Sequence, residues 1–153
     1  MHIPDKISKW IRAKNWTLHE HQIRMFNGSE CSSQLLIAPT GSGKTLAGFL
    51  PTIADLYLNP SQKLHTLYIS PLKALASDIK RNLETPIKEL ELKISVEDRT
   101  GDTKQSIKKK QRVIPPNILL TTPESLALLM SYPEAPSIFL SLIHISEPTR
   151  RLV

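Results

Sequence analysis

Cysteine is almost absent from this chain: Cys31 is the only one in 153 residues. An internal disulfide is excluded, and a reducing compartment is expected. Long apolar runs are absent as well. The longest apolar-leaning stretch, residues 138–145, is far too short to cross a bilayer. Residues 1–16 hold no apolar run of the kind a secretion signal needs. The expectation is a cytoplasmic protein with no membrane partner. Internal repeats, low-complexity tracts and dividing linkers are also missing, which points to one domain. Metal-ligand spacing is thin. His19 and His21 lie two apart without further ligands nearby, and they read as surface residues.

What is present is ordinary in bulk. The chain is 40% hydrophobic and 22% charged, the balance of a soluble domain large enough to bury a core. The formal net charge is +6, a weak pointer to a polyanionic partner. Five basic residues, Lys104, Lys108, Lys109, Lys110 and Arg112, crowd one short segment. A solvated surface helix explains them as well as a nucleic-acid face does.

Ile3, Ile7, Trp10 and Ile11 share one helical face, so a short amphipathic helix is predicted at the start. A second is predicted over residues 19–26, ending near Asn27-Gly28. Continuous apolar runs at 34–38, 64–70 and 117–121 read as strands buried on both faces of a parallel sheet. A weaker strand is read at 94–97. Helical patterns fill 44–58, 72–92, 103–112 and 123–130. Pro51 and Pro86 fall inside two of these and are expected to kink or divide them. Strand and helix alternate, so the fold class is α/β: a mostly parallel sheet with helices on both faces.

One segment carries chemistry: Ala38-Pro39-Thr40-Gly41-Ser42-Gly43-Lys44-Thr45, between a predicted strand and a predicted helix. Backbone N–H groups can cradle phosphate oxygens only where side chains stay clear, which Gly41 and Gly43 allow. A helix starting at Lys44 adds its N-terminal dipole. Lys44 supplies a charge for the β- and γ-phosphates, and Thr45 a hydroxyl for Mg²⁺. ATP and Mg²⁺ are the expected ligands, held by Thr40, Gly41, Ser42, Gly43, Lys44 and Thr45. The general phosphate-loop pattern opens with Gly, whereas Ala38 stands here.

With Ala in that place, the run resembles the first motif of superfamily 2 helicases, the DEAD/DEAH-box group. Other segments agree in order: Ser70-Pro71-Leu72-Lys73-Ala74-Leu75-Ala76, then Thr100-Gly101-Asp102, then Thr121-Thr122-Pro123-Glu124-Ser125. The run from Arg99 through Leu129 is most similar to Lhr-type helicases, and among them to the ligase-associated DEXH-box proteins. The resemblance implies a RecA-like fold and an ATP-dependent DNA helicase working in DNA repair. It implies adenine reading by Gln22 and single-stranded DNA contacts at Pro71, Lys73, Thr100, Gly101, Thr122 and Pro123. It also implies a second RecA-like domain in the intact parent, and a DNA ligase and nuclease as partners. Ser70-Pro71 and Thr122-Pro123 each read as an N-cap followed by proline at a first helical turn. Each would aim free N–H groups at the sheet's C-terminal edge, where a nucleic-acid phosphate fits without base readout.

The family pattern then departs. An Asp-Glu-x-His motif is due after the Thr-Pro-Glu helix, to hold Mg²⁺ and orient water. The chain reads Ser141-Leu142-Ile143-His144-Ile145-Ser146-Glu147-Pro148-Thr149-Arg150 instead. That segment resembles, codon for codon, an in-frame translation of a common transposase-based sequencing adapter. Residues 1–140 are expected to be the helicase ATP-binding domain cut before its acid motif. Residues 141–153 are expected to be a non-native, poorly packed tail, and the chain to lack turnover. Two other readings stand beside this: a free-standing phosphate-loop module that binds ATP or DNA, and another phosphate-loop enzyme such as a kinase.

Overall fold

The computed structural model describes residues 3–28, 33–39, 41–140 and 142. The chain divides into two compact units, Met1–Pro60 and Ser61–Val153.

The first unit is helical. Helix α1, Asp5–Ala13, buries Ile7 and Ile11, as its apolar stripe predicts. It stops where Asn15 takes a left-handed φ of 56°, with Trp16 N–H returning to the Ile11 carbonyl at 3.1 Å. Helix α2, Glu20–Gly28, buries Gln22 and Phe26. It packs against α3, Lys44–Leu58, which buries Phe49, Leu50, Ile53 and Leu56. Pro51 does not divide α3: the helix runs through it. The proline forgoes only the bond to the Ala47 carbonyl, and the apolar packing on either side of it is kept.

Residues 34–38 correct the expectation of a buried strand. They carry no regular structure, and Leu35 and Ile37 are each 85% exposed. An apolar run becomes a strand only where a neighbour takes up its backbone groups. The strands that do pair, among the described residues, all lie beyond residue 60.

The second unit is α/β. Three parallel strands, β1 (Thr66–Ile69), β2 (Val96–Arg99) and β3 (Ile118–Thr121), stand in the order β1-β3-β2. Central β3 is buried along its whole length, as a continuous apolar run predicts. Helices α4 (Lys73–Glu89), α5 (Gln105–Val113) and α6 (Pro123–Met130) surround the sheet, with α4 against β2 and β3. Pro86, like Pro51, is carried inside a continuous helix. Leu64, Leu119, Leu129 and Ile138 form the core, with Leu67, Tyr132, Phe139 and Leu142 packed on it.

Asn117 ties the N-terminal edge of the sheet together. Its Oδ1 accepts from Ser95 N–H at 2.9 Å, and its Nδ2 donates to the Ser61 and Lys63 carbonyls at 2.6 and 3.2 Å. Its backbone carbonyl accepts from His65 and Thr66. The strands therefore start in register, Thr66 and Val96 both facing Ile118, and end in register, Ile69 and Arg99 both facing Thr121. The tail predicted to pack poorly lies outside the described residues, Leu142 aside.

Candidate functional site

Two glycines shape the loop ahead of α3. Gly41 and Gly43 have φ of 78° and 74°, a region that costs any L-residue strain. Gly43 is the N-cap, so the helix begins at Lys44 as the motif predicts. The Lys44 ammonium folds back and donates to the Ala38 and Pro39 carbonyls at 2.6 and 2.8 Å. Ser42 Oγ donates to the same Pro39 carbonyl at 2.7 Å. Thr45 follows, half-buried. Thr40 lies outside the described residues.

Helix α2 grips this loop at two successive residues. Gln22 Nε2 donates to the Gly43 carbonyl at 3.2 Å, and Gln22 Oε1 accepts from His19 N–H at 2.8 Å. His21 Nε2 lies 3.0 Å from the Ser42 carbonyl and donates in its Nε2–H form. Its ring stacks on that of His19, centroids 5.4 Å apart and 9° from parallel. The sequence reading placed both histidines on the surface; no local pattern betrays a bond between residues 21 apart. A recess beside the loop is lined by Trp16, Leu18, Gln22, Gly41, Gly43 and Leu46. Gln22 faces it from a buried position. A carboxamide has two N–H groups and two lone pairs, so one of each remains for a ligand. Trp16, held edge-on by Trp10 at 5.4 Å and half exposed, offers a flat apolar wall.

The remaining expected site residues lie in the second unit, on the turns that follow β1, β2 and β3. The structure brings them to one edge, because Ile69, Arg99 and Thr121 are in register. Thr122 is a true N-cap: its hydroxyl accepts from Ser125 N–H at 3.4 Å, and Pro123 opens α6. Ser70 is not one, which corrects the sequence reading. Helix α4 starts at Lys73, its N-cap being Leu72, two residues after Ser70 and in extended conformation, and Ser70 Oγ accepts from Leu72 N–H at 3.3 Å instead. The hydroxyl closes a short local turn, a competing use of serine near a helix start.

Exposure divides the six candidates. Pro71, Lys73, Gly101 and Pro123 are exposed, whereas Thr100 and Thr122 are buried and shape the turns from within. Thr100 N–H donates to Thr103 Oγ1 at 2.9 Å. Two lysines converge on the middle turn. Lys73 Nζ lies 3.1 and 3.2 Å from the two Asp102 oxygens, and Lys108 Nζ donates to the Gly101 carbonyl at 3.1 Å. Lys108 shows that the basic helix α5 turns one cation toward this edge. Arg99 is buried behind it and donates to the Lys108 carbonyl and Gln111 Oε1 at 3.0 and 3.2 Å. Burial holds its guanidinium below the ordinary range.

Chemically, the first unit sets together a helix N-terminus, two left-handed glycines and a lysine, groups suited to an anion. The second presents cations and a capped helix start along one sheet edge. Among the described residues no cluster of three His, Cys, Asp or Glu is placed to hold a metal, and no helix is long and apolar enough to cross a membrane.

Known proteins resemble the chain in sequence and in fold. The DEAD/DEAH box helicase family matches residues 19–144. The ATP-dependent helicase Lhr-Core protein 2 of Thermococcus barophilus is 38% identical over 153 residues, covering 86% of this chain and 17% of that protein. The structure of the Mycobacterium smegmatis helicase Lhr bound to ssDNA and AMP-PNP superposes with a TM-score of 0.81 at 37% identity, over 91% of this chain and 19% of that one. The DUF1998 helicase MrfA bound to DNA and AMPPNP superposes at 0.78 with 29% identity, over 90% of this chain and 19% of that one. The chain thus spans about a fifth or less of the length of these relatives.

Proposed function

The chain belongs to the DEAD/DEAH box helicase family, and from that premise we propose that it is the ATP-binding first motor domain of an Lhr-type DNA helicase. One observation carries the reading. Lys44 stands at the first residue of α3, directly after a loop in which Gly41 and Gly43 are left-handed and α2 holds the Ser42 and Gly43 carbonyls. Such a loop serves to present N–H groups and one cation to a polyphosphate. The relatives solved with AMP-PNP and DNA support both ligands.

On this reading the triphosphate settles on the N–H groups at the start of α3. Lys44 exchanges the Ala38 and Pro39 carbonyls for phosphate oxygens. The adenine enters the recess beside Trp16, where Gln22 offers its remaining donor and acceptor. Mg²⁺ would neutralise phosphate charge there, and the Thr45 hydroxyl would be the loop oxygen to hold it. Single-stranded DNA runs across Pro71, Lys73, Gly101 and Pro123, its phosphates contacted without base readout.

Hydrolysis needs an acid to fix Mg²⁺ and a group to orient water. The chain contains no Asp-Glu-x-His sequence. It therefore binds ATP but turns it over at background rate, while the parent enzyme couples turnover to movement along DNA. DNA repair, and ligase and nuclease partners, follow from resemblance to the ligase-associated group. Calorimetry with ATP, followed by an ATPase assay with and without single-stranded DNA, tests the proposal. ATP binding without DNA-stimulated turnover is expected. No ATP binding overturns the phosphate-loop reading, and helicase-like turnover overturns the missing-acid reading. ATP binding with phosphate transfer to a small acceptor would reveal a kinase.

A further inference from the structure

The three turns of the candidate DNA edge share one buried residue, Thr121, for which the motif reading has no role. It ends the central strand and is fully buried. Its carbonyl accepts from Ser70 N–H at 2.9 Å, holding the turn after β1. Its hydroxyl donates to the Arg99 carbonyl at 2.7 Å, holding the turn after β2. Its own peptide leads straight into the Thr122 cap of α6. The same hydroxyl has only one other acceptor nearby, the Thr122 carbonyl at 3.4 Å, a far weaker bond.

The Arg99 bond matters because the turn beyond it is otherwise tied within its own loop or through solvent-exposed contacts, the Lys73–Asp102 pair among them. Thr100 N–H and the Asp98 carbonyl both engage Thr103 Oγ1, within the same loop. The bond from Lys108 Nζ to Gly101 is solvent-exposed, so water can replace it. The hydroxyl of Thr121 is the buried side-chain link from this turn to the strand that launches α6. We propose that Thr121 is a positioning residue for nucleic-acid binding: its hydroxyl sets the Thr100-Gly101-Asp102 turn against the Thr122-Pro123 helix start. The two then meet one backbone as a single surface. Adjacent strands lie only about 5 Å apart, so a small shift of one turn misaligns its contacts with the next.

The inference rests on the DNA-binding reading above, and its test separates the two. Thr121→Val keeps the shape and removes the hydroxyl; Thr121→Ser keeps the hydroxyl and removes a methyl. Amide hydrogen exchange is measured on the full chain and both variants, together with anisotropy of a labelled oligothymidylate across a salt series. In Thr121→Val, exchange is expected to quicken at residues 100–103 but not at 70–73, whose bond to the Thr121 carbonyl survives. Oligothymidylate affinity is expected to fall about fivefold to tenfold, as loss of one buried hydrogen bond implies. The salt slope should stay unchanged, because no cation is lost. Thr121→Ser should restore both readouts. Equal exchange changes in both variants, or none at 100–103 in Thr121→Val, overturns the positioning role whether or not the parent chain binds DNA. Absence of oligothymidylate binding by the parent chain, with the selective exchange pattern intact, keeps the coupling and overturns the DNA reading instead.

Discussion

Gln22 Nε2 lies only 2.5 Å from where a Cβ on Gly43 would stand, and it donates to that residue's carbonyl at 3.2 Å. The loop ahead of α3 is thus shaped from outside as well as by its own glycines. Gly43→Ala should combine left-handed strain with a clash, costing about 1–2 kcal/mol for the strain alone. Gly41→Ala carries a similar φ but meets nothing within 4 Å. Calorimetry should show ATP affinity falling at least about tenfold in Gly43→Ala and less in Gly41→Ala. The reverse order would mean that the α2 contact does not shape the loop.

Gln22 itself gives a second prediction. Gln22→Ala removes the hold on Gly43 and the remaining donor and acceptor that face the recess. ATP affinity should fall, and preference for ATP over GTP should shrink toward parity. Gln22→Glu keeps an acceptor for His19 N–H but sets a carboxylate beside the phosphate loop, so ATP should bind more weakly still. Undiminished ATP selectivity in Gln22→Ala would remove Gln22 from adenine reading.

Lys44→Ala should abolish ATP binding with little change in melting temperature. The ammonium's two carbonyl bonds lie on a partly exposed loop, where hydrogen bonds add only about 1 kcal/mol or less. The phosphate charge, by contrast, has no substitute there. A Lys44→Ala protein that binds ATP as tightly as the parent contradicts the site.

Asp102 pairs with Lys73 and, on the proposed DNA reading, would compete with phosphate for it. Both side chains are more than half exposed, so the pair adds at most about 1 kcal/mol to stability. Asp102→Asn should free Lys73 and remove a negative charge from the DNA edge. Oligothymidylate affinity should rise severalfold at low salt, with the slope of log affinity against log salt steeper by about 0.7. Weaker binding, or none gained, would show that Lys73 faces no phosphate.

Lys80 supplies a pH signature. Its hydrogen bond to Asp98, at 2.8 Å, raises its pKa above the ordinary 10.5. A cation whose pKa is higher folded than unfolded stabilises the protein fully below the unfolded value. That contribution is lost as pH climbs from 10.5 through the folded value. Asp98→Asn should lower the melting temperature near neutral pH, and the gap from the parent should close in the alkaline range. A gap that is constant with pH would assign the loss to packing.

Much of this protein was determined locally, by the sequence itself. Gly41 and Gly43 admit a left-handed backbone that other residues resist, so the tight loop and the start of α3 were legible from the motif. Thr122-Pro123 was legible as a cap because a β-hydroxyl and a fixed φ act within one turn. The apolar run ending at Thr121 revealed a central parallel strand because both its faces are covered, whereas β1 pairs as expected but is only partly buried and ends at the half-exposed Ile69. The run at 34–38 looks the same, yet pairs with no strand among the described residues. Hydrophobicity marks readiness to be buried, whereas a strand needs a neighbour's hydrogen bonds. Ser70 was misread for a related reason: its hydroxyl had two local uses, and the path of the chain into α4 selected the other. The grip of Gln22 and His21 on the loop, the ties of Asn117 at one sheet edge, and the bond from Thr121 to Arg99 at the other all join residues about 20 or more apart. Such bonds leave no periodicity in the chain. Only tertiary structure could decide them, because each exists by the meeting of two segments that neither one encodes alone.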